Sequence, residues 1–214
     1  MVRKSMYMFL LSVLASALSG QILAAQIHWS EPVPLDAPLT GGKVLEAINL
    51  GGPSVADVGG VDFAAGDAGA PPPRYSNVFD NLTLSWEGPS GAGSLAPDPA
   101  LGKIISTGRW IKGTDTKEIR LKNLTPGATY RIQLYTGDQR SCCSERGYRF
   151  QDGAGNISPI WKRGGLKSLV GEFTADKDTQ DIFMTVEKDS TDPYLTGYVL
   201  SIVSSPKSGK IPRD

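Results

Sequence analysis

Residues 121–153 read LKNLTPGATYRIQLYTGDQRSCCSERGYRFQDG. Just before and into this stretch, Ile119 and Leu121 alternate with Glu118, Arg120 and Lys122. That period of two marks a strand with one buried face. Asn123-Leu124-Thr125-Pro126-Gly127 stops it, because Pro126 presets φ and Gly127 accepts φ > 0, which together favour a turn. Beyond the turn, Tyr130, Ile132 and Leu134 share one face, and Arg131, Gln133 and Tyr135 the other. A leucine, then Pro-Gly, then a tyrosine three residues on is the pattern of a tyrosine corner. Its hydroxyl bonds upstream backbone and pins the passage of the chain from one sheet to another. A plain hairpin, with Tyr130 as a core aromatic, is the alternative reading of the same residues.

Outward from the corner the same alternation recurs. Upstream it predicts strands over 27–30, 43–50, 58–63 and 79–86, the third with Gly59-Gly60 as a bulge or tight turn. Downstream it predicts strands over 148–151, 157–163, 168–175, 180–187 and 195–203. With 25 Gly and 15 Pro, turns are frequent and helical periods scarce. One helix is predicted, capped by Asp98, with Pro99 in its first turn and Gly108 ending it. Its narrow apolar face, Leu101, Ile104 and Ile105, suits a plug for one end of a β core. Trp29 and Trp86 read as core residues. Trp110 and Trp161 are aromatic candidates for a binding surface, and Lys162, Arg163 and Gly164 after Trp161 suggest that it is exposed. The pattern predicts an all-β protein: a two-sheet antiparallel β-sandwich of jelly-roll type with one short helix.

Arg3 and Lys4, an apolar run from Met6 to Leu14, small residues on to Ala17 and Leu23-Ala24-Ala25 read as a secretory signal over 1–25. The sandwich then occupies 26–203 and a polar tail 204–214. The apolar run is short for a membrane span, so the mature chain is expected to be secreted and not inserted in a membrane. Without Arg3 and Lys4, 20 basic residues face 22 acidic ones. That balance argues against electrostatic binding to nucleic acid or an anionic membrane.

Several stretches, in order, carry a resemblance: IHW at 27–29, EAINLGG at 46–52, VGGVDF at 58–63, STGRW at 106–110, LKNLTPGATYRIQLYTGDQR at 121–140, FQDGAGN at 150–156, VGEFTAD at 170–176 and GYVLSIV at 197–203. Together they resemble jelly-roll modules of secreted and surface proteins of planctomycete- and verrucomicrobia-type bacteria. Those modules are themselves similar to galactose-binding-like and malectin-like sandwiches. The resemblance covers nearly the whole of the predicted domain. It implies the sandwich and, by analogy of fold, carbohydrate binding. The corner alone is also similar to fibronectin type III modules, which makes these the runner-up fold.

Cys142 and Cys143 are adjacent and are the only cysteines, so neither can close a longer loop within the chain. A vicinal disulfide, two free thiols and intermolecular bonds are the three possible states. An oxidising compartment disfavours free thiols, and the vicinal bond is the favoured reading. It would set a stiff apolar knob on a polar loop, serving as a sugar platform or only as a stiffener. Asp138, Arg140, Arg146 and Tyr148 flank that loop. Asp and Arg hydrogen-bond vicinal hydroxyls and an aromatic face stacks on a sugar ring; a surface ion pair beside a hairpin loop is the competing reading. Trp161 joins them as a candidate ligand-binding aromatic. Asp152 and Asn156, with Asp138, are candidate ligands for a structural calcium. His28, the single histidine, is too isolated for a zinc set or a hydrolase triad. No GxSxG, HExxH or phosphate loop is present, and no carboxylate pair stands out. The expected function is a secreted, non-catalytic carbohydrate-binding module that meets glycans. The alternative is a structural or adhesive protein of the cell surface or matrix with protein partners. A hydrolase with an unrecognised carboxylate pair is the third reading.

Overall fold

The structure, a computed structural model, describes residues 25–36, 38–39, 41–66, 69–78, 82, 84–87 and 93–206. The leader expected over 1–25 falls outside them except for Ala25, as do the end of the tail from 207 and part of the strand expected over 79–86.

In chain order the described strands are β1 (His28–Trp29), β2 (Val33–Pro34), β3 (Lys43–Asn49), β4 (Val55–Val58), β5 (Val61–Ala65), β6 (Leu84–Glu87), β7 (Thr107–Trp110), β8 (Lys117–Leu121), β9 (Thr129–Tyr135), β10 (Gly147–Asp152), β11 (Trp161–Lys162), β12 (Lys167–Thr174), β13 (Gln180–Val186), β14 (Tyr194–Leu195) and β15 (Gly197–Ser204); one α-helix, α1 (Pro99–Ile105), precedes β7. An eight-stranded sheet runs β1-β12-β9-β15-β3-β5-β4, with β2 also on β12. A four-stranded sheet runs β11-β10-β13-β8, and a small third sheet β14-β7-β6. All pairs are antiparallel except β3 with β5.

The two larger sheets close on one core. Tyr130, Ile132, Leu134, Leu169, Phe173, Tyr198 and Leu200 of the large sheet pack with Ile119, Leu121, Tyr148, Phe150, Ile182 and Met184 of the four-stranded sheet. Each such burial stabilises by roughly 1.5–3 kcal/mol. These are the inward positions that the period of two selects in β8, β9, β12 and β13. The all-β sandwich is therefore as expected.

The chain crosses between these sheets at the corner. β8 belongs to the four-stranded sheet and β9 to the eight-stranded one. Gly127 takes φ +80°, and the Thr125 N–H donates to the Tyr130 hydroxyl oxygen at 2.7 Å. The Tyr130 ring stacks on Phe173, centroids 5.7 Å apart. The corner is formed, and the plain hairpin is not.

Three local expectations change. The single strand expected over 58–63 is a hairpin: Gly59 and Gly60, at φ +58° and +86°, turn the chain between β4 and β5. In 157–163 only Trp161 and Lys162 form strand, since Pro159 has no N–H for a ladder. The helix is capped as expected, the Ala100 N–H reaching Asp98 Oδ1 at 2.7 Å, but its cap at the other end is Ser106, and Gly108 lies in β7. It does not plug an end of the core. Leu101, Ile104 and Ile105 cover the outer face of the large sheet, packing with Ala47, Tyr135 and Val199 and with Val55, Val58 and Phe63 of the hairpin.

Candidate functional site

The loop from Thr136 to Arg146 leaves β9 and enters β10, and it is held on both sides. Arg140 O accepts from the N–H of Cys143 and of Ser144, both at 2.9 Å, and Cys143 O from Arg146 N–H at 3.1 Å. The segment after β11 is sewn to it: Arg163 N–H donates to Arg146 O (3.1 Å), Gly164 N–H to Ser144 O (2.8 Å) and Asp138 N–H to Arg163 O (3.3 Å). Within this loop Cys142 and Cys143 are joined by a vicinal disulfide. Cys142 is exposed, while Cys143 is buried.

This stitching carries the Arg163 side chain under the loop, where it is 3% exposed. Its guanidinium lies over the rings of Tyr194 (4.7 Å) and Tyr148 (5.3 Å). It donates to the Tyr148 hydroxyl and to the Asp192 carbonyl, and lies 3.4 Å from Asp138 Oδ2. Asp138 is fully buried and is gripped side-on by Arg140, Nε to Oδ1 at 2.9 Å and Nη2 to Oδ2 at 2.7 Å. Burial pushes the Asp138 carboxyl up, but the hydrogen bonds and charge of Arg140, with the charge of Arg163, outweigh it and hold the group below the usual carboxylate range. Asp192 behaves alike: desolvation raises it, but the Gly113 N–H, the Thr191 hydroxyl and Arg146 outweigh this and hold it below the usual carboxylate range. Burial raises both Tyr148 and Tyr194, which keep their protons.

Asp192 is placed by an unusual backbone. It sits at φ +59°, a left-handed conformation that Asp tolerates better than most residues. The Asp192 N–H donates to Gly113 O (2.7 Å) and the Gly113 N–H to Asp192 Oδ1 (2.9 Å). Its other oxygen, Oδ2, accepts from Arg146 Nη1 at 2.6 Å. Two residues on, Tyr194 pairs in register with Trp110 of β7. The result is a pocket of about 190 Å³ lined by Trp110, Arg140, Cys143, Arg146, Arg163, Asp192 and Tyr194.

Of the residues singled out from sequence, Trp110, Arg140, Cys143 and Arg146 line this pocket, Cys142 is exposed and not part of its lining, and Asp138 and Tyr148 stand buried behind it. Asp138 is thus buried rather than part of an open rim, while its partner Arg140 reaches the pocket wall and keeps part of its side chain in solvent. Trp161 corrects the expectation of an exposed aromatic: it is fully buried, 5.7 Å from the Phe150 ring, with its indole N–H on Lys167 O at 3.1 Å. Alternation turns Lys162 outward, to Glu145 at 2.6 Å, and Trp161 inward. Asp152 and Asn156 share a turn elsewhere. Asp152 Oδ2 accepts from Ile27 N–H (2.6 Å) and Asn156 Nδ2 (2.7 Å), and Oδ1 from the N–H groups of Ala154 (2.9 Å) and Asn156 (2.8 Å). The carboxylate ties the N-terminal strand to β10, and its oxygens are already engaged. Among the described residues, no group of three or more His, Cys, Asp or Glu is placed to hold a metal ion.

Arg163, Asp192 and Tyr194 are site residues that the sequence reading did not single out. The one local signal for them is the turn composition of Asp192-Pro193 ahead of Tyr194.

No protein-family model matches the chain, and a search of curated proteins finds no match. Solved structures do match in fold. The extracellular domain of ANXUR1 from Arabidopsis thaliana superposes with a TM-score of 0.57 at 10% identity, over 82% of this chain and 54% of that one. The plant receptor-like kinase ANX1 gives 0.58 at 11% identity, over 82% and 55%. A calcium-binding mutant of Bacteroides uniformis β-glucuronidase 2 gives 0.50 at 18% identity, over 73% of this chain and 18% of the enzyme. The chain thus spans about half the length of the receptor ectodomain chains it matches. The expected all-β sandwich has structural counterparts in these ectodomains, while no family match supports the specific bacterial module. Receptor ectodomains and an enzyme share the fold, so fold alone does not decide catalysis. No helix among the described residues is long and apolar enough to cross a membrane.

Proposed function

We propose that this protein is a secreted, non-catalytic carbohydrate-binding module whose site is the pocket between the cysteine loop, Arg163 and the Trp110–Tyr194 pair. The observation that carries the reading is the mixture in one cavity: two aromatic residues, a disulfide-bonded cysteine and arginines. A sugar ring presents an apolar face and a rim of hydroxyls, which such a wall matches. At about 190 Å³ the pocket is smaller than the usual range of about 300–1,000 Å³ for drug-sized ligands, a size that suits one ring at the end or side of a longer glycan. The carboxylates in and behind the pocket support the non-catalytic part. Arginine holds Asp138 and Asp192 ionised, whereas glycoside hydrolysis needs one carboxyl protonated.

A glycan-array screen of the purified protein tests this, run with and without calcium and with and without reductant, beside Trp110→Ala. The expected result is a reproducible set of hits that Trp110→Ala weakens by about 10-fold or more, the scale of a lost stacking contact. Hits that vanish on reduction place Cys143 in the contact, and hits that need calcium restore Asp152 and Asn156 as ligands to be tested. No hit from folded protein rejects the reading in favour of a structural or adhesive protein with protein partners.

A further inference from the structure

Resting on that reading of the pocket, we infer that it selects acidic glycans, and that Arg146 receives the carboxylate of a sugar acid. Three guanidiniums line the pocket, Arg140, Arg146 and Arg163. Among the described residues two carboxylates meet them, Asp138 and Asp192, one negative charge fewer than the positive ones.

The three guanidiniums are committed to different degrees. Arg163 is buried and gives donors to Tyr148, to the Asp192 carbonyl and to Asp138. Arg140 lays its Nε and Nη2 across both oxygens of Asp138. Arg146 makes a single side-chain hydrogen bond with the described residues, Nη1 to Asp192 Oδ2 at 2.6 Å. Its side chain is 22% exposed and forms part of the pocket wall. Among the described residues its Nε and Nη2 therefore have no partner. Those two N–H groups point the same way and form the flat fork that fits the two oxygens of a carboxylate. Arg140 already grips Asp138 with that same fork.

Asp192 fixes the aim of this fork. It is held in turn by the Gly113 N–H and the Thr191 hydroxyl, so the salt bridge orients Arg146 without occupying its Nε side. A neutral ring seated here would desolvate the fork and give it only hydroxyls. A carboxylated ring meets it with a charge-assisted pair. Hydrogen bonds to charged groups are stronger than neutral ones by an amount that corresponds to about 10-fold or more in affinity. Across the whole chain acidic and basic residues balance, so the preference arises locally and falls as salt rises.

The test uses a panel of oligouronates of several linkages, each paired with the neutral oligosaccharide made by reducing its carboxyl groups to CH₂OH, and a set of sulfated oligosaccharides. Affinities are measured by calorimetry at low and high salt for wild type, Arg146→Gln and Arg146→Lys, with folding checked by near-UV circular dichroism. The expected result is that at least one oligouronate binds about 10-fold or more tightly than its reduced partner, that Arg146→Gln abolishes the difference, and that Arg146→Lys, which keeps the charge but loses the fork, restores part of it. Sulfated sugars binding as well as uronates support the excess charge as the selector, and uronates binding better support the fork. Neutral and acidic partners binding equally overturn the inference and leave the sugar site standing. Wild type binding neither, when Trp110→Ala also changes nothing on the array, removes the sugar reading itself.

Discussion

Replacing Asp138 by Asn tests whether the buried charge pair organises the site. Asp138 is fully buried and Arg163 is 3% exposed; Arg140, the other partner, keeps 38% of its side chain in solvent. Removing one member of a buried pair strands the other, at a cost of about 3–5 kcal/mol. Two features reduce that here. Arg140 can return to water, where exposed pairs contribute little, and Arg163 keeps Tyr148 and the Asp192 carbonyl as acceptors. The expected loss is therefore about 2–3 kcal/mol, below the full cost of a stranded charge. For a domain of this size that lowers Tm by about 4–12 °C.

The assay is urea and thermal unfolding of wild type and Asp138→Asn from pH 3 to 8. The folded carboxyl lies below its ordinary value. Its contribution is thus fully present above the unfolded pKa near 3.8 and is lost as pH falls through the lower folded value. The gap between the two proteins should be level from about pH 5 upward and shrink below about pH 4. A loss under about 0.5 kcal/mol at pH 7, small beside the cost of a stranded buried charge, would falsify the argument. So would a gap that does not narrow in acid.

Tyr130→Phe removes the hydroxyl that accepts the Thr125 N–H and keeps the stack on Phe173. A loss of about 1 kcal/mol is expected, read from urea midpoints, with sugar binding unchanged. Gly108→Ala would set a methyl group on the Tyr194 ring; overpacking of about 1–3 kcal/mol and weaker ligand binding are expected together, and stability lost without any change in binding would separate Tyr194 from the site. Glu46 accepts from the Tyr198 hydroxyl at 2.6 Å and from the N–H of Arg74 and Tyr75, and burial raises its pKa above 4.5 despite these bonds. A raised carboxyl favours the folded state below the unfolded value and loses that contribution as pH rises through the folded one. Wild type should therefore lose stability relative to Glu46→Gln as pH goes from about 4.5 toward neutrality, measured as the difference in Tm at each pH.

What could be read in advance follows the range of the signal. The corner is local: Pro126-Gly127 and Tyr130 lie within five residues, and the turn they favour is the one that forms. Strand faces are local as well, because burial repeats every two residues. The same rule applied at 161–162 would have turned Trp161 inward, and the run of charge after it pointed the wrong way, since Lys162 occupies the outward position. The pocket is not local. Trp110 and Tyr194 meet through the pairing of β7 with β14, and Arg163 reaches Asp138 because the segment after β11 is bonded to the cysteine loop. Asp138 and Arg140 stand two residues apart and announce an ion pair in sequence, but whether that pair is a surface ornament or a buried hinge of the site depends on a third residue 25 positions away. That dependence also gives the loop its use. A loop between two strands is ordinarily a mobile place to put binding groups; this one is bonded along its backbone to residues 163–164 and through Asp138 to a buried guanidinium. Arg140, Cys143 and Arg146 are therefore presented with less conformational entropy left to lose on binding.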